Sequence, residues 1–263
     1  MKTLENLMSV QSMTQVCREH GDYTSIFTRG KWSGCPVCMQ EQLRSESLST
    51  QAAAASQLQS TKPKALIEKL RLAASIPRRF QSRRLETYVA EGKGQQRALA
   101  ICTKYLLQFD ERLTQGGGLV LLGKPGNGKT HLACGIGNAL VEQGRSVLFM
   151  DVYDLIDGVK ERAFDRKECS EREAIQGFAS VDLLILDEVG AQLGSEWERL
   201  TLFKVINERY KACLPTLIIS NLDREKFKTY VGERIDDRMQ EGGGAFITFD
   251  WDSYRASVRS VAV

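Results

Sequence analysis

Gly123-Lys124-Pro125-Gly126-Asn127-Gly128-Lys129-Thr130 decides how this chain is read. The octet fits the pattern G-x-x-x-x-G-K-[ST] at every required position. It follows the short apolar run GLVLL and precedes THLACGIGNALVEQG, which reads as a helix ending at a glycine. Glycines let a loop curl so that successive backbone N–H groups point inward at phosphate oxygens. The start of the following helix adds the positive end of its dipole at the same spot. In such a loop Lys129 reaches the β- and γ-phosphates, and the Thr130 hydroxyl coordinates Mg2+. The expected ligand is therefore ATP with magnesium, held along Gly123, Lys124, Pro125, Gly126, Asn127, Gly128, Lys129 and Thr130.

Working outward, SVLFMDV, VDLLILDE and PTLIISN are further short apolar runs, separated by helical stretches such as LTLFKVINERYKA. Continuous apolar strands alternating with helices imply an α/β fold, a parallel sheet with helices on both faces. Residues 94–113 read as one helix, with Ala98, Ile101, Tyr105 and Leu106 at helical spacing. VDLLILDE ends in two acids. Asp187 is expected to hold the magnesium and Glu188 to orient and deprotonate the attacking water. Asn221 ends PTLIISN, and strand C-termini line the ligand crevice in such sheets. By itself a strand-end asparagine is more often a turn residue, but its spacing after the acidic pair favours a sensing role.

Composition sets the bounds. The 263 residues are 42% hydrophobic and 26% charged, a globular balance, and no apolar stretch approaches a membrane span. The start MKTLENLMSV lacks a signal-peptide core, so a cytoplasmic location is expected. The net charge of +3 is too small to imply nucleic acid. Between Lys62 and Arg84, however, eight basic residues stand against Glu68 alone. That segment suits either a phosphate backbone, an acidic partner surface or a solvated basic linker.

Three regions follow: residues 1–45, rich in cysteine; 46–75, a helical or flexible linker broken at Pro63; and 76–263, the sheet domain. Of seven cysteines, Cys102, Cys134, Cys169 and Cys213 are scattered, and no disulfides are expected. Cys17 and His20, then Cys35 and Cys38, form C-x2-H and C-x2-C pairs separated by fourteen residues. Two such pairs complete a tetrahedral Cys3His zinc site, with the intervening YTSIFTRGKWSG as a hairpin or ribbon; chance spacing in a reduced protein is the alternative. About 45 residues rarely form a sufficient core, so Zn2+ would hold this region together.

The order of phosphate loop, Asp-Glu strand, strand-end asparagine and arginine-bearing helix resembles the AAA+ ATPases. Gly232-Glu233-Arg234-Ile235-Asp236-Asp237-Arg238-Met239, followed by Phe249-Asp250-Trp251-Asp252-Ser253-Tyr254-Arg255, is similar to the DnaC-type helicase loaders over about residues 80–259. Transposition-helper ATPases of the IstB type share the loop, the HLA after it and the acidic pair. The resemblance implies ATP hydrolysis coupled to loading a hexameric DnaB-type helicase onto single-stranded DNA. It makes Arg238 the arginine finger entering a neighbour's site, with Arg234 one turn earlier as the alternative, and Arg255 a second sensor. With only 42 residues after Asn221, little or no helical lid is expected.

A finger supplied in trans implies head-to-tail association in an open helical row that can follow single-stranded DNA. Candidate DNA contacts are Trp197 with Ser195, and Phe164 with Lys160 and Arg162, although Trp197 also suits plain packing. Two other functions stay open: an IstB-like helper acting on duplex DNA and a transposase, or a zinc adaptor whose nucleotide only locks the fold.

Overall fold

The computed structural model describes residues 11–28, 30–40, 42, 64–164, 170–191 and 195–254. The chain forms two compact units, Met1–Ser60 and Thr61–Val263.

In the smaller unit β1 (Ser12–Cys17) pairs antiparallel with β2 (Gly21–Thr28), which pairs with β3 (Lys31–Trp32). Ser25 and Cys35 are its buried members among the described residues, too few to make a hydrophobic core.

The larger unit is a five-stranded parallel sheet in the order β5-β6-β7-β4-β8. Its strands are β4 (Leu119–Gly123), β5 (Val147–Asp151), β6 (Leu183–Asp187), β7 (Thr216–Ser220) and β8 (Ala245–Phe249). Their alternation supplies two cores. Leu119, Leu121, Leu183, Ile185, Leu217, Ile219, Ile247 and Phe249 face one side. There they pack on α1 (Lys64–Ala73), α2 (Lys93–Leu107) and α4 (Lys129–Glu142). Val120, Leu122, Leu184, Leu186 and Ile218 face the other. That side is covered by α5 (Val152–Phe164), α6 (Glu171–Ala179), α7 (Glu196–Lys211), α8 (Arg224–Val231) and α9 (Glu233–Gln240). Apolar side chains on both faces are why these strands read as continuous hydrophobic runs.

Three features depart from the sequence reading. The helix expected over 94–113 breaks at Gln108 into α2 and α3 (Phe109–Gln115), which buries Phe109 in the first of these cores beside Tyr105. Strand β8 was not anticipated; it pairs parallel with β4 and closes that edge of the sheet. Helix α1, in the stretch read as a linker, lies against α4 and β5, with the Ala74 carbonyl accepting from the Phe149 N–H at 2.8 Å.

Candidate functional site

Strand order builds the site. Because β7 lies between β4 and β6, its end places Asn221 between the phosphate loop and the acidic pair. The Thr130 hydroxyl donates to Asp187 Oδ2 at 3.1 Å, and Asn221 Nδ2 donates to Glu188 Oε2 at 2.8 Å. These residues share a cleft of about 520 Å³ with Lys129. The Lys129 ammonium donates to the carbonyl oxygens of Gly123 and Lys124 at 2.5 and 2.7 Å, so the loop itself holds the charge in place.

Glu188 has a φ of +56°, the left-handed region that a side chain with a Cβ avoids. Such a conformation costs on the order of 1–3 kcal/mol and persists where surrounding bonds over-determine it. Here the Glu188 N–H donates to Asp187 Oδ1 at 2.7 Å, and the Val189 N–H donates to Ile219 O at 3.1 Å. The result turns the Glu188 carboxylate to the cleft while Asp187 stays under it.

Burial pushes the Asp187 carboxyl up to about 6, and the neighbouring Glu188 charge adds to this; the Glu188 N–H and the Thr130 hydroxyl oppose it. A bound divalent cation offsets the same burial by favouring the anion. Asp151 pairs in register with Asp187 and is likewise raised, by burial first and then by Asp154 and Glu188. This third acid went unnoticed in the sequence, although SVLFMD ends as LLILD does.

The wall opposite the acids also escaped the sequence reading. Arg79, Arg83, Thr87 and Tyr88 line the cleft from the segment preceding α2. The basic run therefore divides: Arg84 pairs with Glu142 at 2.6 Å, while Arg79 and Arg83 face the candidate site. His131 Nε2 lies 3.0 Å from the Arg84 carbonyl oxygen, and its ring meets Tyr88 edge-on at 5.4 Å. Partial burial holds His131 below its ordinary value.

A second surprise is the clamp on the loop. Asn127 Nδ2 donates to the carbonyls of Phe249 and Trp251 at 3.1 and 2.9 Å. The Trp251 indole N–H returns a bond to Asn127 O at 3.1 Å, and the Tyr254 N–H donates to Gly126 O at 3.1 Å. The fit tolerates no side chain at two glycines. A Cβ on Gly126 would sit 2.0 Å from Ser253 Oγ, and one on Gly128 would sit 2.6 Å from the Tyr88 ring; both have φ above +90°.

The family model described as IstB-like ATP binding protein matches residues 81–256. The chain belongs to this family. Its relatives include the replicative helicase loader DnaC of Buchnera aphidicola subsp. Schizaphis graminum, 36% identical over 174 residues, 66% of this chain and 70% of that protein. DnaC of Escherichia coli strain K12 is 35% identical over 173 residues, 66% of this chain and 69% of that one. A crystal structure of the DnaC helicase loader superposes with a TM-score of 0.58 at 27% identity, covering 66% of this chain and 99% of that one. The fold is AAA+, and ATP is the nucleotide the family binds.

Other predicted residues of this family member are dispersed. Arg234 is exposed. Arg238 lies across two rings of α7, 4.9 Å from Phe203 and 5.0 Å from Tyr210. It borders a smaller cavity beside Gly118 and Thr216, at the opposite end of the strands from the phosphate loop. Arg238 is thus remote from its own subunit's cleft. Ser195 caps α7, its hydroxyl accepting from the Glu198 N–H at 3.3 Å, and Trp197 in the first turn is 36% exposed. Lys160 and Arg162 are exposed on α5, with Arg162 4.4 Å over the Phe178 ring. The Phe164 side chain and Arg255 lie outside the described residues. Among the described residues no helix is long and apolar enough to cross a membrane.

The cysteine–histidine cluster precedes the matched region. The ligand atoms of Cys17, His20, Cys35 and Cys38 lie within 4.8 Å of one another, with separations of 3.2–3.8 Å among the bonded pairs. Tetrahedral Zn2+ with ordinary bond lengths needs edges of roughly 3.5–3.8 Å, so the four donors fit it. The N–H groups of Glu19 and His20 hold the Cys17 thiol down at about 6, while the hydrogen bond to Cys17 pushes Cys38 up to about 12, so one thiolate of this pair forms readily and the second needs a cation to offset the charge.

Proposed function

We propose that this chain is an ATP-dependent loader of a hexameric DnaB-type replicative helicase onto single-stranded DNA. The observation that carries the reading is 35–36% identity to replicative helicase loaders over about 70% of their length. The geometry supports the chemistry. Lys129 exchanges the carbonyls of its own loop for phosphate oxygens, while Thr130 and Asp187 would hold Mg2+, which when bound would supply neutralisation of charge on the transferring phosphoryl group. Glu188 accepts the proton of the attacking water as ADP and phosphate separate, and Asn221, bonded to it, links the state of that carboxylate to β7.

Arg238, or Arg234, completes a neighbour's site in a head-to-tail row, and Arg255 senses nucleotide. The position of Arg238 at the far end of the sheet supports a role in trans, since it has no reach to its own cleft. Turnover is slow and governs release of the helicase, with Trp197 and Phe164 as candidate contacts to the strand. Cys17, His20, Cys35 and Cys38 hold a structural Zn2+ in a partner-binding unit, and the work takes place in the cytoplasm.

The deciding experiment is co-purification with the replicative helicase under ATP, with and without residues 1–60, beside ATP turnover by Glu188→Gln. Capture by the full chain and a turnover loss of about 100-fold or more are expected. Failure to hold the helicase while binding a transposase and duplex DNA would move the protein to the transposition-helper class. Unchanged turnover in Glu188→Gln would leave a nucleotide-locked zinc adaptor.

A further inference from the structure

Lys129, Thr130, Asp187 and Glu188 give the cleft a charged part suited to a triphosphate, while Val89, Gln95 and Tyr254 line it with groups of another kind. Val89 is 49% exposed and Tyr254 50%, apolar surface that a flat aromatic ring would cover. All three are tied to the same side of the phosphate loop. Tyr88, just before Val89, donates through its hydroxyl to Asn127 O at 3.3 Å, and the Tyr254 N–H donates to Gly126 O at 3.1 Å. Gly94, just before Gln95, lies against the Trp251 ring, where a Cβ would come within 3.0 Å, and the Trp251 indole N–H itself bonds Asn127 O.

Gln95 is half-buried at the start of α2, and its Oε1 accepts from the Glu91 and Gly92 N–H groups at 2.9 and 2.7 Å. Two N–H donors fix which end of the amide is the oxygen. The end left for a ligand is Nε2, a donor that makes no bond among the described residues. The other amides lining the cleft are engaged: Asn127 Nδ2 donates to the Phe249 and Trp251 carbonyls, and Asn221 is held at Glu188. Adenine and guanine differ along one edge, where adenine offers the acceptor N1 and guanine an N1–H donor. We propose that Gln95 Nε2 donates to N1 of a bound adenine ring and sets a preference for ATP over GTP. With guanine two donors would face each other in the cleft, each left without an acceptor. The inference rests on the cleft holding a nucleoside triphosphate and is independent of helicase loading.

The test is calorimetric titration of the full chain with ATP and GTP, each with Mg2+. The unaltered protein is expected to bind ATP about 30-fold more tightly than GTP, and to lose about tenfold towards 1-deazaadenosine triphosphate, in which a C–H replaces N1. Gln95→Glu keeps one oxygen for the Glu91 and Gly92 N–H groups and presents a second oxygen where the donor stood. The ratio of ATP to GTP affinity should therefore fall by about 100-fold. Taking the ratio cancels the repulsion that an added carboxylate exerts on any triphosphate. In Gln95→Leu, ATP and its 1-deaza analogue should bind within about twofold of each other. Equal affinity of the unaltered protein for ATP and GTP overturns the proposal and leaves the phosphate site standing. Undiminished affinity for the 1-deaza analogue overturns it too, a result that needs no substitution and so does not depend on a variant folding. So does an unchanged ratio in Gln95→Glu. A chain that binds no triphosphate at all removes the nucleotide site together with the inference.

Discussion

In the amino-terminal ribbon the buried members among the described residues are Ser25 and Cys35, whereas the larger unit buries both faces of a five-stranded sheet. The ribbon's four donors come as two pairs, each with only two residues between its members. The larger unit's candidate site is assembled from strand ends and loops spread over more than a hundred positions. A metal supplies order to a short chain by replacing the core it lacks. A nucleotide cleft instead inherits order from packing that exists before any ligand arrives. The first kind of site is fragile at each ligand and insensitive to its surroundings; the second is robust to surface change and sensitive to distant supports.

The largest test of this contrast is Cys35→Ser. Losing one of four ligands removes most of an apparent stabilisation on the order of 10 kcal/mol. Residues 11–40 should become protease-sensitive and zinc-free while nucleotide affinity of the larger unit stays within about twofold. A collapse of both together would show that the units share their stability.

Next comes Arg209, fully buried and donating to Thr216 Oγ1 and to the carbonyls of Ala179, Val181, Asp182 and Pro215. Burial pulls this guanidinium down to about 9. Arg209→Met strands those acceptors and should lower unfolding free energy by about 3–5 kcal/mol, seen by denaturant titration, with zinc content unchanged.

Trp251→Phe probes a remote support of the phosphate loop. It deletes the bond to Asn127 O while keeping most of the ring, so ATP affinity should fall by about 3- to 10-fold with little change in melting temperature.

The last effect is a slope. With its folded value at about 6, above the ordinary 3.8, Asp187 holds a proton where the unfolded chain has lost it. Its contribution to stability is present below about pH 4 and disappears as pH rises through about 6. Asp187→Asn should therefore flatten the melting-temperature profile across that window, measured without nucleotide or divalent cations. An unchanged profile would assign the slope to other groups.

Residues adjacent in sequence carried most of what was legible. Four strands, the edge strand β5 among them, announced themselves as continuous apolar runs, and the phosphate loop because its backbone demands glycine at fixed spacing. Strand β8 stayed hidden because its burial is incomplete and it follows directly on a glycine run. The Gln108 break depends on Phe109 finding the core, which no helical spacing reveals. The clamp on Asn127 joins residues 122 and 124 positions apart, beyond any local pattern. Tyr88, Arg79 and Arg83 were visible as residue types, but their direction is set by the turns before α2, where Asn138 Nδ2 donates to the carbonyls of Phe80 and Arg83, both at 2.9 Å.

The bonds from Phe249, Trp251 and Tyr254 to the phosphate loop have a bearing on how the molecule is born. During synthesis the octet at 123–130 leaves the ribosome well before the residues that brace it. A nascent chain halted short of residue 249 lacks the edge strand beside β4 and every one of those bonds. The geometry of the loop thereby depends on residues made well after it, and truncation before residue 249 is expected to weaken nucleotide binding more than Trp251→Phe does.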